Sequence, residues 1–351
     1  MKNSGAKLQW FLLLMASTIS LAGCDGLQSS VNPGGPQAHN ISKIWWLMLY
    51  VSTVVFIIVI AALLVGVSKG RRRQRSESEE VRNAPELILP EPSKRKHRTM
   101  VIAATSVTVL TLFVFLVQSF LIGRGLTAEL SRKKAVVIEI TGHQWWWEVR
   151  YMNNDASSIF TTANEIHIPV GVPVTFSLKA GDVIHSFWVP NLNGKTDLIP
   201  GKIATTWLQA DQPGVYRGQC AEYCGLQHAH MALWIVAEPA PQFNSWLQAQ
   251  LQSAQQPATD SQKRGFQVFL SSTCVMCHAV NGTPAGSNFG PNLTHVASRK
   301  TIAAATMQNT RDHLAQWISD SQQVKPGNRM PPSRLSPEDL QAVLDYLQSL
   351  K

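Results

Sequence analysis

Two stretches of this chain carry no charge at all: residues 44–67 and 100–123 have no charged side chain, and each is 24 residues long. A helix needs about 20 apolar residues to cross a bilayer. The runs therefore predict two transmembrane helices rather than two buried helices of a large soluble domain. Cysteine is scarce, five in 351 residues, which is little for a disulfide framework. No internal repeat is visible, which removes repeat architectures. No group resembles a nucleophile or an acid–base pair for substrate chemistry, so the chain does not read as the place where a substrate is transformed.

What charge there is sits off-centre. The formal net charge is +9. Residues 68–99 hold ten Lys/Arg and five Asp/Glu, a net of +5, and the rest of the chain supplies only +4. The basic runs Arg71, Arg72, Arg73, Arg75 and Lys94, Arg95, Lys96, Arg98 flank the two apolar stretches. This is the positive-inside pattern and places the connecting loop in the cytoplasm. Arg132, Lys133 and Lys134 on the outer side weaken that bias without reversing it. The basic balance is topological, and a nucleic-acid partner is excluded.

The N-terminus is a separate signal. Lys2 and Lys7 precede an apolar run, Leu8 to Leu21, too short to span and shaped like a signal peptide. It closes on Leu21-Ala22-Gly23-Cys24, which resembles a bacterial lipobox and implies lipidation at Cys24 after removal of residues 1–23. Ordinary cleavage or an uncleaved anchor are the alternatives. Residues 24–43 are polar and rich in Gly, Pro, Asn and Ser, the composition of a tether.

The expected architecture is a multidomain membrane protein. Residues 44–123 form a transmembrane helical hairpin with a basic cytoplasmic loop. Residues 130–238 change to short β-rich runs, among them Ala135–Ile140, Trp145–Tyr151, Val172–Leu178, Val183–Val189 and Met231–Ala237. Gly, Pro, Asn and Asp clusters separate them, which predicts an all-β sandwich. Residues 239–258, rich in Gln, Ala and Pro, read as a linker with a short helix near Phe243–Leu251. Residues 259–351 turn helical; Ser336 stands as N-cap and Pro337 at the first position of the last helix.

The densest chemistry is Cys220-Ala-Glu-Tyr-Cys224-Gly-Leu-Gln-His228-Ala-His-Met231. Two thiols, an imidazole and a thioether in one loop form a soft donor set that selects copper. A second Cys four residues after the first permits two bridging sulfurs and so two metals. A second imidazole must come from elsewhere, and His185, 35 residues upstream, is the candidate. A Cys220–Cys224 disulfide or a zinc site are the competing readings; Met is a poor zinc partner. His230 is read as structural.

These segments resemble the copper-binding subunit II family of cytochrome c oxidases. Gly142-His-Gln-Trp-Trp-Trp147 and Lys195-Thr-Asp-Leu-Ile-Pro-Gly201 look like that family too, and with the hairpin the resemblance covers residues 44–238. It implies a cupredoxin-like sandwich holding the dinuclear copper centre CuA. Cys220 and Cys224 would bridge the coppers, with His185 and Met231 on one, and His228 and the Glu222 carbonyl on the other. The Glu222 side chain would face a magnesium shared with subunit I, and Trp145 would be the exit for electrons to subunit I.

Cys274-Val-Met-Cys277-His278 is the C-x-x-C-H attachment motif for a c-type haem. With Gly265, Phe266 and Phe269 before it, and Gly290-Pro-Asn-Leu293 and Met330-Pro-Pro332 after it, residues 259–351 resemble a class I cytochrome c domain. Covalent haem c on Cys274 and Cys277 would take His278 as proximal ligand. Met276, Met307 and Met330 are candidates for the sixth ligand; Met330, stiffened by two prolines, is favoured. Trp317 and Tyr346 read as packing residues. Each cysteine then has a use, one for lipid, two for copper and two for haem.

The resemblance implies an electron-transfer subunit of a bacterial respiratory oxidase, as in caa-type haem–copper enzymes. It would sit in the cytoplasmic (inner) membrane with both redox domains on the periplasmic or extracellular side. Expected partners are oxidase subunits I and III, membrane lipid, and an upstream c-type cytochrome or quinol:cytochrome c reductase. Alternatives are the equivalent subunit of a nitric oxide reductase relative, a structural subunit with a degenerate copper site, as in quinol oxidases, and a free membrane-tethered carrier.

Overall fold

A computed structural model describes residues 26–80, 94–130, 136–152, 155 and 158–351. The signal peptide, Cys24, the middle of the basic loop and the Arg132–Lys134 cluster lie outside the described residues. The chain divides into two compact units, Asn40–Glu129 and Met1–His39 with Leu130–Lys351.

The first unit is helical. Helix α1 (Pro36–Glu80) is 45 residues long and α2 (Lys94–Leu130) 37. Both are long and apolar enough to cross a membrane. A 24-residue apolar run spans about 36 Å of helix, against a hydrocarbon core of about 30 Å. Phe56 and Leu116 are exposed along with most of their apolar neighbours, as on helices apolar all round. Trp45 packs tilted against Trp46, which stacks on Tyr50, at one end of the run in α1, where amphipathic rings favour the membrane–water boundary.

The second unit opens with a segment the sequence suggested was a loose tether. Residues 26–39 instead lie along the β-domain. Asn191 donates to the carbonyls of Ser29 and Asn32, both at 2.9 Å, and its own carbonyl accepts from Gly34 at 2.6 Å. Gln37 donates to the Trp207 carbonyl at 2.6 Å. Gly35 presses so close that an added Cβ would sit 2.1 Å from the Gln209 carbonyl oxygen.

The β-domain is a cupredoxin-like sandwich of two five-stranded sheets. One sheet has the order β3 (Phe160–Ala163), β2 (Trp146–Met152), β1 (Val136–His143), β5 (Val174–Ala180), β8 (Ala204–Leu208). The other has β4 (Glu165–Pro169), β10 (Ala232–Glu238), β9 (Gly214–Cys220), β6 (His185–Trp188), β7 (Thr196–Leu198). Alternate residues Ile138 and Ile140 of β1, and Val174, Phe176 and Leu178 of β5, point inward and are fully buried, the period-two pattern of a half-buried strand.

The 239–258 segment is no free linker either. Helix α3 (Ala240–Gln250) buries Phe243 and stacks Trp246 on His167 at 4.1 Å. His167 sits between Glu165 and Glu238, at 3.2 and 3.0 Å. Beyond α3 the chain bonds forward, Ala254 N–H to the Asn281 carbonyl at 3.0 Å.

The last domain is helical apart from one small hairpin. It comprises α4 (Asp260–Ser271), a helical turn Thr273–Met276, strands β11 (Thr301–Ile302) and β12 (Met307–Gln308), α5 (Arg311–Ser319), α6 (Ser321–Val324) and α7 (Pro337–Ser349). Thr259 and Gln262 close a capping box on α4, and the Ser336 hydroxyl accepts the Asp339 amide at the start of α7. Helices α4 and α7 cross at Gly265, where a Cβ would lie 1.9 Å from the Ala342 carbonyl oxygen. The turn between β11 and β12 holds three consecutive alanines, Ala303, Ala304 and Ala305, at φ of 54°, 56° and 59°, a conformation that disfavours any residue with a Cβ.

Candidate metal centre and haem site

Strand pairing brings the soft donors together. Cys220 ends β9 opposite Phe187 of β6, and His185 opens β6. The loop after Cys220 returns through the turn His228–His230 to Met231, whose carbonyl accepts the Cys220 amide at 2.9 Å. Gly142 makes room: a Cβ there would lie 2.9 Å from the His185 ring.

The Cys220 and Cys224 sulfurs are 3.7 Å apart and not bonded to each other. Cys220 Sγ lies 3.9 Å from His185 Nδ1 and 3.2 Å from the Glu222 carbonyl oxygen. Cys224 Sγ lies 3.6 Å from His228 Nδ1 and 3.8 Å from Met231 Sδ. The six expected donor groups thus converge on one pair of sulfurs. Cys220, Cys224, His185 and Met231 are all buried.

The electrostatics suit a cation between the sulfurs. A hydrogen bond from the Cys224 thiol, against the cost of burial, brings Cys220 down to about 3, with His185 helping. The resulting thiolate pushes the Cys224 thiol up. One sulfur ionises readily and its neighbour resists, because two negative charges this close repel each other unless a cation lies between them. Asp182 fixes the geometry of His185 by accepting its Nε2–H at 2.8 Å, which turns Nδ1 toward the sulfurs. Burial works against the Asp182 carboxylate, but bonds from His185 and from the Gln144 and Val183 amides outweigh it and hold it at about 2. Two thiols, two imidazoles, a thioether and a carbonyl around a pair of buried sulfurs fit copper. The Glu222 side chain is exposed and, among the described residues, accepts only its neighbour's amide, Tyr223 N–H at 3.0 Å. His230 is exposed and bonds Gln227 at 2.8 Å.

The Trp145 indole Nε1 donates to the Cys224 carbonyl at 3.0 Å, and the Gln144 side chain donates to the same oxygen at 2.9 Å. Trp145 is buried. Its own carbonyl accepts from Lys325 of the last domain at 2.9 Å.

In that domain His278 donates its Nδ1–H to the Pro291 carbonyl at 2.7 Å, leaving Nε2 free for a metal. Burial pushes the imidazole down, which keeps it neutral and ligating. Gly290 is needed because a Cβ would meet the His278 ring at 2.9 Å. Cys274 and Cys277 are half-buried and unpaired. The Met330 backbone is pinned: its amide donates to Asn328 Oδ1 at 2.8 Å and its carbonyl accepts from Ser321 at 2.6 Å and Gln322 at 2.9 Å. Met276 is 67% exposed, while Met307 packs against the domain core from β12. Near His278, Arg299 Nε is buried with no hydrogen-bond partner among the described residues, and burial pushes the guanidinium down to about 10. An unpartnered guanidinium N–H fits a group that carries carboxylates, as haem does. Trp317 and Tyr346 lie in the same core.

Several contributors were not singled out from the sequence: Asp182, Gln144, Gln227 and Lys325. Asp182, three residues before His185, had a visible signal, a carboxylate beside a ligand histidine. Lys325 had none.

Comparison with known proteins agrees with both halves. Residues 152–238 match the family described as cytochrome c oxidase subunit II, periplasmic domain, and residues 262–351 match cytochrome c. The cytochrome c oxidase subunit 2 of Alkalihalophilus pseudofirmus is 35% identical over 97% of this chain and 96% of its own length. That of Bacillus sp. strain PS3 is 34% identical over 62% of this chain and 63% of its own. The solved periplasmic domain of subunit II of cytochrome oxidase from Bradyrhizobium japonicum is 31% identical, covering 34% of this chain and 95% of its own, with a TM-score of 0.31. Two membrane-length helices, a cupredoxin-like domain and a fused cytochrome c domain, with likeness along nearly the whole length, make this chain a member of the cytochrome c oxidase subunit 2 family.

Proposed function

We propose that this chain receives electrons in its cytochrome domain and delivers them, through its copper domain, to the oxygen-reducing subunit I of a respiratory oxidase. When bound, haem c and the copper pair supply one-electron chemistry. The protein supplies the rest. Cys274, Cys277, His278 and Met330 hold the haem. Cys220, Cys224, His185, His228, Met231 and the Glu222 carbonyl hold the coppers. Strand pairing at Cys220 and His185 and the burial of Cys220, Cys224, His185 and Met231 resist rearrangement and limit the solvent that would otherwise reorganise with each change of charge.

The observation that carries this reading is the convergence of all six donor groups on Cys220 and Cys224. It also weighs against a structural subunit with a degenerate site. Trp145 belongs on the inlet side in this proposal: its indole touches the Cys224 carbonyl and its backbone touches the cytochrome domain. Those contacts favour reception from the cytochrome domain over the exit role that the resemblance implied. The Glu222 carboxylate is the group offered to a magnesium at subunit I, and Cys24 the site of lipidation that adds a second anchor beside the helices. Subunit III and an upstream c-type cytochrome or quinol:cytochrome c reductase complete the expected partners, in the inner membrane with the redox domains outside.

The test is electron paramagnetic resonance of the oxidised, copper-loaded holoprotein. A copper signal split by two equivalent nuclei beside a low-spin ferric haem signal is expected; a single-copper signal would overturn the relay.

A further inference from the structure

Residues 325–330, the segment leading into Met330, lie on the copper domain almost residue by residue. Lys325 is 2% exposed. Its ammonium donates to three backbone carbonyls: Trp145 at 2.9 Å, His230 at 2.9 Å and Ala303 at 3.3 Å. The Pro326 carbonyl accepts from Gln227 at 2.8 Å. Gly327, at φ 80°, comes close enough to Leu226 that a Cβ would sit 2.9 Å from its side chain. Arg329 reaches Asp182 at 3.5 Å, on the carboxylate that orients His185; Arg329 is exposed, so this pair adds little.

The surroundings reinforce the contact. The left-handed Ala303–Ala305 turn is costly on its own, and its Ala304 carbonyl accepts the Ala232 amide at 3.2 Å. Glu165 accepts the Lys300 amide at 2.9 Å. An ammonium leaves water only where its donors are matched. Lys325 has three N–H bonds and three acceptors, two of which, on Trp145 and His230, belong to the copper domain. Freed from this contact it would simply be a solvated lysine, so the burial records a built interface. Burial pushes the ammonium down to about 7, and the Cys224 sulfur pulls the other way.

We propose that Lys325 is a positioning residue that fixes the haem-ligand loop onto the copper cage, so that the two redox modules work as one docked unit rather than as a carrier swinging on a linker. This rests on the relay proposed above. A swinging carrier gains from the effective concentration its linker provides. Here the linker is laid down along both domains, and transfer has no search step.

The experiment uses the full-length, copper-loaded holoprotein and its Lys325→Met variant, which keeps the apolar stem and removes the donors. Haem-to-copper transfer is timed after flash reduction of the haem, and the copper midpoint potential is measured on the same samples. The wild type should transfer at a rate insensitive to ionic strength. The variant should be slower by at least about tenfold, become sensitive to salt and show a lower copper potential, because the N–H donors on the Trp145 and His230 carbonyls are gone, while both resonance signals persist. An unchanged rate and potential with both signals intact would overturn the proposal. Should the variant fail to fold, amide exchange in the wild type decides. Ala232 and Lys300 amides should be protected like the sheet interior, and exchange at loop rates would overturn the docking. Failure of the relay reads out separately, as a wild type without the two-copper splitting; the docking then stands or falls on the amide exchange.

Discussion

Histidine 185 shows how one side chain is set by those around it. Asp182 takes its Nε2–H, Gly142 leaves space for its ring, and Nδ1 faces Cys220. An Asp182→Asn variant keeps the size of the side chain but loses the charge that orients and strengthens the imidazole. Copper retention against a competing chelator should fall by roughly 10- to 100-fold, with little change in the far-ultraviolet dichroism. In the cytochrome domain, the pinned backbone of Met330 supports the proposal that it is the sixth ligand. Met330→Ala should abolish the weak red absorption band of iron–sulfur ligation and lower the haem potential; Met307→Ala should keep the band. The opposite pattern would exchange the two assignments. The proposed ligands were legible in the sequence because each is chemically distinctive and, His185 apart, lies in a short motif. Lys325 was not, because a lysine is ordinarily a solvated residue and only the fold shows the three carbonyls around it.

At the scale of elements, the crossing of α4 and α7 depends on Gly265. A Cβ at 1.9 Å from a backbone oxygen has no flexible neighbour to displace. Gly265→Ala should therefore destabilise the domain by about 1–3 kcal/mol, measured by denaturant unfolding of the holoprotein. Asp345 ties α7 to α4 by accepting from Ser261, and to α5 by pairing with Arg311 at 2.7 Å. The Ser261 hydroxyl, then Arg311, hold its carboxyl below the ordinary range. A depressed carboxyl stabilises the fold above its unfolded value, near about 3.9, and that contribution is lost as pH falls through the lower folded value. Asp345→Asn should cost roughly 0.5 kcal/mol at pH 7, since the site is partly exposed. The difference from wild type should vanish under strongly acid conditions; a constant difference across the range would dissociate the effect from ionisation. The strands with clean alternation were readable in advance, and so was the start of α7. Strand β9, which delivers Cys220, was not: Gly-Val-Tyr-Arg-Gly-Gln-Cys mixes glycines and charge and finds its place only by pairing with β10 and β6.

For the whole molecule, composition misleads in two places. Residues 26–39 and 239–258 have the Gly, Pro, Ser and Gln content of flexible connectors, yet both are laid along folded domains through Asn191, Gln37 and Trp246. Polar, small residues serve equally well for a solvated coil and for close backbone contact, and only tertiary structure distinguishes the two. The charge distribution, by contrast, was readable at once, since the basic residues cluster against uncharged runs.

A lid has a before and an after. The 325–330 segment lies against the copper loop at Leu226, Gln227 and His230, and Cys220 and Cys224 of that loop are only 3% and 2% exposed, so the order expected in maturation is metal first, closure second. Copper offered to the apo-protein should load slowly, at the rate at which the cytochrome domain lifts away, and faster in Lys325→Met. A cell that supplied haem promptly but copper late would accumulate chains with a finished cytochrome domain sealed over an empty cage.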